Sequence, residues 1–289
     1  VYPELGMDGF TFALATQRLA PIQCCGWGHP VTSGLTTIDY YITCDEMEPP
    51  DATAHYSEQL VRLPGIGTHY QRPIRPPAAT RREAGLPEGR FLFLVPQSLF
   101  KLHPDNDDMF IHVLERNEDA MIVAFEDHYP VNTAVFLRRF GSKLHSAGMV
   151  LEDRLVLLGT RPHESFLQIN ALCDAMLDSL YWSGGNTTLD ALSCGLPVVT
   201  LPGEFMRGRQ SMAILKQIGL DELVASDIDD YISIATRLVN DVAFRIRLRE
   251  SILQRIDSVF GQSQGIKALQ MFLASLAPSL NNDTDSARR

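Results

Sequence analysis

The sequence predicts an α/β protein built on doubly wound parallel sheets, and three observations lead there. Short apolar runs of strand length recur along the chain, separated by stretches with helical spacing. Those runs lack the polar alternation of a half-exposed sheet, so helices are expected on both faces. The corners after several of the runs are rich in glycine, small polar or aromatic residues, as at the ligand edge of such sheets.

"VYPEL" reads as the end of a buried strand with no cap before it, so the chain is expected to begin inside a domain. "FTFALATQRLA" has helical spacing, "PIQCCGW" reads as a strand and "GHPVTSG" as a loop. "IDYYITC" is a strand, "PDATAHYSE" a short helix and "LVRLP" another strand. Residues 64–89 turn rich in Pro, Gly and Arg, as a linker or extended crossing does. A second alternation follows, with strands expected at Phe91–Val95, Ala120–Phe125, Arg154–Leu158, Ala175–Leu177, Val198–Leu201 and Glu222–Val224. Helical patterns fall between them at 105–116, 130–146, 163–171, 186–194 and 207–218, and again at 227–239, 242–256 and 264–276. The expected organisation is a partial N-terminal domain (1–75), a linker (76–89), a C-terminal Rossmann-like domain (90–276) and a polar, disordered tail (277–289).

Composition narrows the function classes. The 289 residues are 45% hydrophobic and 21% charged, enough for a core and unlike a disordered chain. A net charge of −10 argues against duplex nucleic acid as main partner, because phosphate contacts need clustered Lys and Arg. No apolar run approaches the roughly 20 residues of a membrane span, and no secretory signal opens the chain. The five cysteines form no CxxC pair, so no zinc site is expected. Vicinal Cys24 and Cys25 read as buried strand filling, and a reducing cytoplasm fits this usage.

Ligands of open α/β sheets bind beyond the carboxyl ends of the strands, so each strand-to-helix corner is a candidate. "SGGNTTLD" follows the fourth strand of the second alternation. Gly184 and Gly185 permit close backbone approach, and Asn186, Thr187 and Thr188 open a helix whose free N–H groups suit a phosphate. Asp190 could accept from ribose hydroxyls; the plainer reading is a capped helix with an acidic first turn. In "VPQSLFKLHPDND", Gln97 and Ser98 precede Lys101, which could neutralise a diphosphate, or could be a surface lysine in a loop. Asp105 and Asp107 form a DxD, better read as complementing the helix dipole than as a metal site. In "LLGTRPHESFL", Phe166 could stack on a base with Arg161 or His163 at its polar edge, or could face its own core. His29 in "GHPVTSG" could serve as a base, although a lone loop histidine is more often structural. Glu204, Arg207 and Arg209 could reach a cleft or simply flank a helix start. Together the corners of the second domain could hold the phosphates, base and ribose of one nucleotide.

The ordered stretches "RLAPIQCCGWGHPVTSGLTTIDYYIT", "YSEQLVRLP", "QSLFKLHPD" and "SGGNTTLDALSCGLPVVTLPGE" resemble the catalytic region of the O-linked N-acetylglucosamine transferase and SPINDLY family, glycosyltransferase family 41, over roughly residues 1–275. The resemblance implies a GT-B architecture of two Rossmann-like domains, the N-terminal one incomplete here. It implies an inverting, metal-independent transferase without cofactor that moves a sugar, GlcNAc from UDP-GlcNAc foremost, to Ser or Thr of proteins. Tetratricopeptide repeats upstream would recruit the acceptor, and the fragment could be inactive alone. On this likeness Lys101 stabilises the leaving diphosphate, Thr187 and Thr188 sit at the diphosphate, Asp190 binds ribose, and Arg161 and His163 lie along the uracil. The chain departs from the family at Gly185–Thr187, at His163 and at Phe166, which leaves GDP-fucose or UDP-glucose as donor, a glycan or small-molecule acceptor, or a non-catalytic nucleotide-sugar-binding module as alternatives.

Overall fold

The computed structural model describes residues 1–286, with side chains through residue 276. The chain divides into two compact units: Val1–Gln71 with Glu204–Arg207 and the segment from Val259, and Arg72–Gly203 with Gly208–Ser258.

The first unit begins with Tyr2, which bridges Cys25 in parallel where a strand end was expected. Helix α1 (Gly9–Ala15) is capped by Asp8, whose carboxylate accepts from the Thr11 amide at 2.8 Å. Strands β1 (Cys24–Gly26), β2 (Tyr40–Cys44) and β3 (Gln59–Leu63) form a parallel sheet in that order. A 3₁₀ turn at Ala52–His55 joins the last two. Successive side chains of a strand point to opposite faces, and this decides the fate of the vicinal cysteines. Cys25 packs with Leu5, Ala15, Ile38 and Tyr41; Cys24 packs with Ile42 and Leu63 on the other face. Both thiols are buried, free and pushed up by desolvation.

The second unit opens with α2 (Arg81–Ala84), inside the stretch expected as a linker. Thr80 and Glu83 form a capping box. Arg81 donates to Asp174 (2.7 Å), to the Leu172 carbonyl (3.0 Å) and to the Arg90 carbonyl (2.7 Å). These bonds fasten the Pro- and Arg-rich segment to this unit, so the division falls at 71/72. Then follow β4 (Phe91–Val95), α3 (Pro104–Glu115), β5 (Ala120–Phe125), α4 (Pro130–Ser146), β6 (Leu155–Leu158), α5 (His163–Leu172), β7 (Ala175–Leu177), α6 (Asn186–Ser193), β8 (Val198–Val199), α7 (Gln210–Gln217), α8 (Ile228–Asn240) and α9 (Val242–Arg255). The sheet is parallel throughout, in the order β6-β5-β4-β7-β8. Thr200 bridges Val224, which adds a sixth position beside β8.

Two expected strands shrink. The run Val198–Leu201 keeps two strand residues, because Pro197 and Pro202 beside it have no N–H for a ladder. The run Glu222–Val224 becomes a 3₁₀ turn at Asp221–Leu223 plus the single Val224 bridge.

Helix α10 (Gln264–Ser286) returns to the first unit. Ala268, Leu269 and Phe272 cover the Cys24, Ile42 and Leu63 face, and Phe272 meets Tyr40 edge-on at 5.2 Å. A Cβ on Gly265 would lie 3.0 Å from the backbone of Gly67, so glycine is needed where this helix starts. The polar segment from 277, expected as a disordered tail, continues this helix to Ser286; residues 287–289 lie outside the described ones.

Candidate functional site

From β4 the chain winds outward through β5 and β6, and from β7 it winds the opposite way through β8. The topological switch therefore lies between β4 and β7, and their carboxyl ends flank the crevice where such sheets take ligands. The two corners bounding it are the Lys101 corner and the glycine corner singled out in the sequence.

After β4, a 3₁₀ turn at Leu99–Lys101 swings the lysine toward the neighbouring corner. Its Nζ lies 4.9 Å from the centroid of the Trp182 ring and 5.6 Å from that of Phe100. No carboxylate pairs with it among the described residues. Burial alone pulls its pKa down, as expected of an ammonium awaiting an anion. Gln97 joins the corners: its Nε2 donates to the Trp182 carbonyl at 2.9 Å, and its Oε1 accepts from the Ser98 amide. Ser98 stays exposed.

After β7, the chain folds around buried Asp178. Its carboxylate accepts from the Gly184 amide, the Ser183 hydroxyl and the Thr200 hydroxyl at 2.7–2.8 Å. Gly185 then caps α6, and the amides of Asn186 and Thr187 meet no acceptor among the described residues. Those free first-turn N–H groups, at the positive end of the helix, make an anion cradle. Two groups of this corner are turned inward. The Gly184 amide is taken by Asp178, and the fully buried Thr188 hydroxyl lies 2.7 Å from Ser211 Oγ. What remains open to a ligand is the backbone of Gly185–Thr187 with the Thr187 side chain. A Cβ on Gly184 would lie 2.6 Å from both Thr187 Oγ1 and Thr188 Oγ1.

Beside these corners, a cleft of about 460 Å³ opens beyond β4, β5 and β6. Gln97, Ser98, Arg161, His163 and Phe166, candidates from the sequence, are among the residues that line it. Phe166 lies 5.4 Å from Phe125 and is near-parallel to His163, 6.4 Å away. His163 Nε2 is 3.0 Å from Asp190 Oδ2, so α5 and α6 meet at the Asp190 carboxylate. Burial pushes that carboxylate up, and the histidine opposes the shift. Sequence reasoning missed the third wall, Phe125 to Tyr129. The signal was present: "FEDHYP" directly follows a strand, and the rule applied to the other strand ends covers it too.

Other candidates have different duties. Asp107 is paired with Arg139 in the α3–α4 contact, and Asp105 accepts from the Tyr181 hydroxyl at 2.7 Å, so the DxD is occupied within the unit. His29 belongs to the first unit; its carbonyl accepts from Tyr41, and its ring packs over Gly6. Arg207 lies over Phe205 in the same unit, while Arg209 donates to the Gly203 carbonyl in the second.

Comparison with known proteins places this geometry. The family model for glycosyl transferase family 41 matches residues 65–266. A SPINDLY protein of Solanum lycopersicum, described as a probable UDP-N-acetylglucosamine–peptide N-acetylglucosaminyltransferase, is 30% identical over 240 residues, covering 81% of this chain and 25% of its own. A UDP-glucose:protein N-beta-glucosyltransferase of Actinobacillus pleuropneumoniae is 27% identical over 259 residues, covering 87% of this chain and 40% of its own. Among solved structures, a mutant of the Thermobaculum terrenum O-GlcNAc transferase superposes with a TM-score of 0.76 at 29% identity, over 92% of this chain and 49% of that one. The lipopolysaccharide glycosyltransferase WaaG shares the fold at a TM-score of 0.58 and 14% identity. The chain thus spans about a quarter of the tomato relative's length. With its GT-B fold and a family match over more than half its residues, the chain belongs to glycosyltransferase family 41.

Proposed function

We propose that this chain is the nucleotide-sugar-binding part of a protein O-GlcNAc transferase, which moves GlcNAc from UDP-GlcNAc to Ser or Thr hydroxyls with inversion and without a metal ion. The observation that carries the reading is that half-buried Lys101, with no carboxylate partner among the described residues, and the open helix start at Gly185–Thr187 lie on the two corners flanking the switch point, Lys101 resting on Trp182 of the glycine corner. In this reading the acceptor oxygen attacks the anomeric carbon as the bond to the diphosphate breaks. Negative charge grows on the leaving diphosphate, so Lys101 and the α6 amides act more strongly on the transition state than on the bound donor. Arg161, His163 and Phe166 hold the base, and Asp190 takes a ribose hydroxyl once His163 turns toward the base. His29 is the proposed general base. The acceptor is a protein recruited by repeats elsewhere in a longer polypeptide, and the setting is cytoplasmic. No helix among the described residues is long and apolar enough to cross a membrane.

The test is a donor panel on the full-length protein: UDP-GlcNAc, UDP-glucose and GDP-fucose, with calorimetry for binding and transfer to a Ser/Thr peptide for turnover. Transfer of GlcNAc, insensitive to EDTA, supports the reading. Selective use of UDP-glucose, the donor in the Actinobacillus relative's name, or of GDP-fucose would replace the donor but keep the site. Tight binding without turnover would make the chain a binding module instead.

A further inference from the structure

We infer that Asp178 is the positioning residue of the pyrophosphate corner, fixing the Ser183–Gly185 turn so that the first amides of α6 face the ligand. The inference rests on the proposed nucleotide-sugar reading and adds a residue to it that touches no ligand.

Asp178 is itself immobile. Its amide donates to the Val199 carbonyl at 2.9 Å, and its carbonyl accepts from the buried Tyr231 hydroxyl at 2.8 Å. Its fully buried carboxylate faces three donors: the Gly184 amide at Oδ1, and the Ser183 and Thr200 hydroxyls at Oδ2. The network then runs outward from the carboxylate. Ser183 Oγ has spent its proton on Asp178 and accepts from the Ser211 amide at 2.9 Å. Ser211 Oγ reaches the Gly184 carbonyl at 3.0 Å and lies 2.7 Å from the Thr188 hydroxyl. The Gly184 amide and the Ser183 and Thr200 hydroxyls all point their protons at the carboxylate, while the Thr188–Ser211 branch ends on the Gly184 carbonyl. An acceptor-only group is therefore required at Asp178. The turn it organises delivers Gly185, the residue immediately before the open amides.

Asn is nearly isosteric with Asp but replaces one of its two acceptor oxygens by an N–H₂, so Asp178→Asn sets donor against donor on one side of the hub with little change in volume. Ser183→Ala removes the hydroxyl that donates to Asp178 and accepts from the Ser211 amide. In the full-length protein, uridine, UMP and UDP binding should be measured by calorimetry for wild type and both variants, with urea unfolding alongside. The affinity gained on going from uridine to UDP should fall at least about tenfold in each variant, with uridine affinity changed less than about threefold. Guanosine and GDP replace this series if the donor panel selects GDP. Equal losses for nucleoside and diphosphate, or an undiminished diphosphate gain, would overturn the positioning role. Should Asp178→Asn fail to fold, Ser183→Ala decides by the same criterion. A wild-type protein that gains nothing from the diphosphate sinks the nucleotide-sugar reading itself, an outcome distinct from variants that keep the gain.

Discussion

Lys101 combines two properties that ordinarily conflict. It is half-buried, and its charge is opposed by desolvation with no carboxylate among the described residues to offset it. In the proposed reaction this would be useful, because a poorly solvated ammonium interacts strongly with charge developing on a leaving group. Lys101→Ala is expected to lower turnover at least about tenfold, or about 1.4 kcal/mol of transition-state stabilisation, in steady-state assays of the full-length protein. An unchanged kcat would remove the lysine from the mechanism. The same shift has a stability signature. A lysine whose folded pKa is depressed favours the fold above its ordinary value of 10.5, and that contribution is lost as pH falls through the folded value. Ligand-free wild type should therefore gain stability on Lys101→Met as pH rises toward about 10.5, read from paired urea titrations. A gap that widens against wild type with rising pH would contradict the assignment. The lysine's place in a loop after a strand was legible in the sequence. Its ring contact with Trp182, 81 residues further on, was not, because only the pairing of β4 with β7 brings the two corners together.

At the scale of elements, the corner before α6 shows how glycine, cap and packing cooperate. Gly184 has no room for a methyl group because the Thr187 and Thr188 hydroxyls occupy that space, and Thr188 is tied to Ser211 on α7. Gly184→Ala should shift the first turn of α6, cost about 1–3 kcal/mol and weaken UDP binding at least about tenfold; normal calorimetric affinity would show that the turn can yield. Gly185 is a milder case, since the atom in its way is the far end of the Gln210 side chain. The α3–α4 contact is governed by charge. Asp107 is buried and its carboxyl is pushed up by desolvation, with Arg139 opposing the shift across a 2.5 Å contact. Arg139→Met would leave that carboxylate buried alone, costing about 2 kcal/mol or more. A carboxyl with a raised folded pKa favours the fold below its ordinary value of 3.8 and loses that contribution as pH rises through the raised value. The deficit of Arg139→Met relative to wild type should thus shrink as pH is lowered from neutrality, and a deficit that grows in acid would reject this account. The DxD spacing was visible in the sequence, but its partner, 32 residues away on another helix, was not.

Across the whole molecule, the C-terminal segment is the least expected feature. Three helices after the last strand read as a simple close to the second domain, yet the last of them, α10, completes the core of the first unit. Helical periodicity shows that a helix has an apolar face and says nothing of which sheet the face will cover. Phe272→Ala should destabilise the first unit by about 1–3 kcal/mol. Thiol labelling should then reach Cys24 in that unit before Cys173 in the second; equal protection of Cys24 in variant and wild type would show that the helix contributes little.

The sequence by itself determined the local layer of this protein. Unbroken apolar runs such as Phe91–Val95 and Ala120–Phe125, bounded by turn residues, read as strands covered on both faces, and the glycine corner, the lysine corner and the Arg161–Phe166 corner all follow such runs. These features depend on interactions within a few residues, so spacing reveals them. The tertiary structure decided what depends on distant partners. It set which two corners flank the switch between β4 and β7, turned the Thr188 hydroxyl and the Gly184 amide inward, and made Asp178 the acceptor on which the corner hangs. The physical reason is that a hydrogen bond's direction and a charge's burial are fixed by the group opposite, and the group opposite is chosen by the order of strands in the sheet.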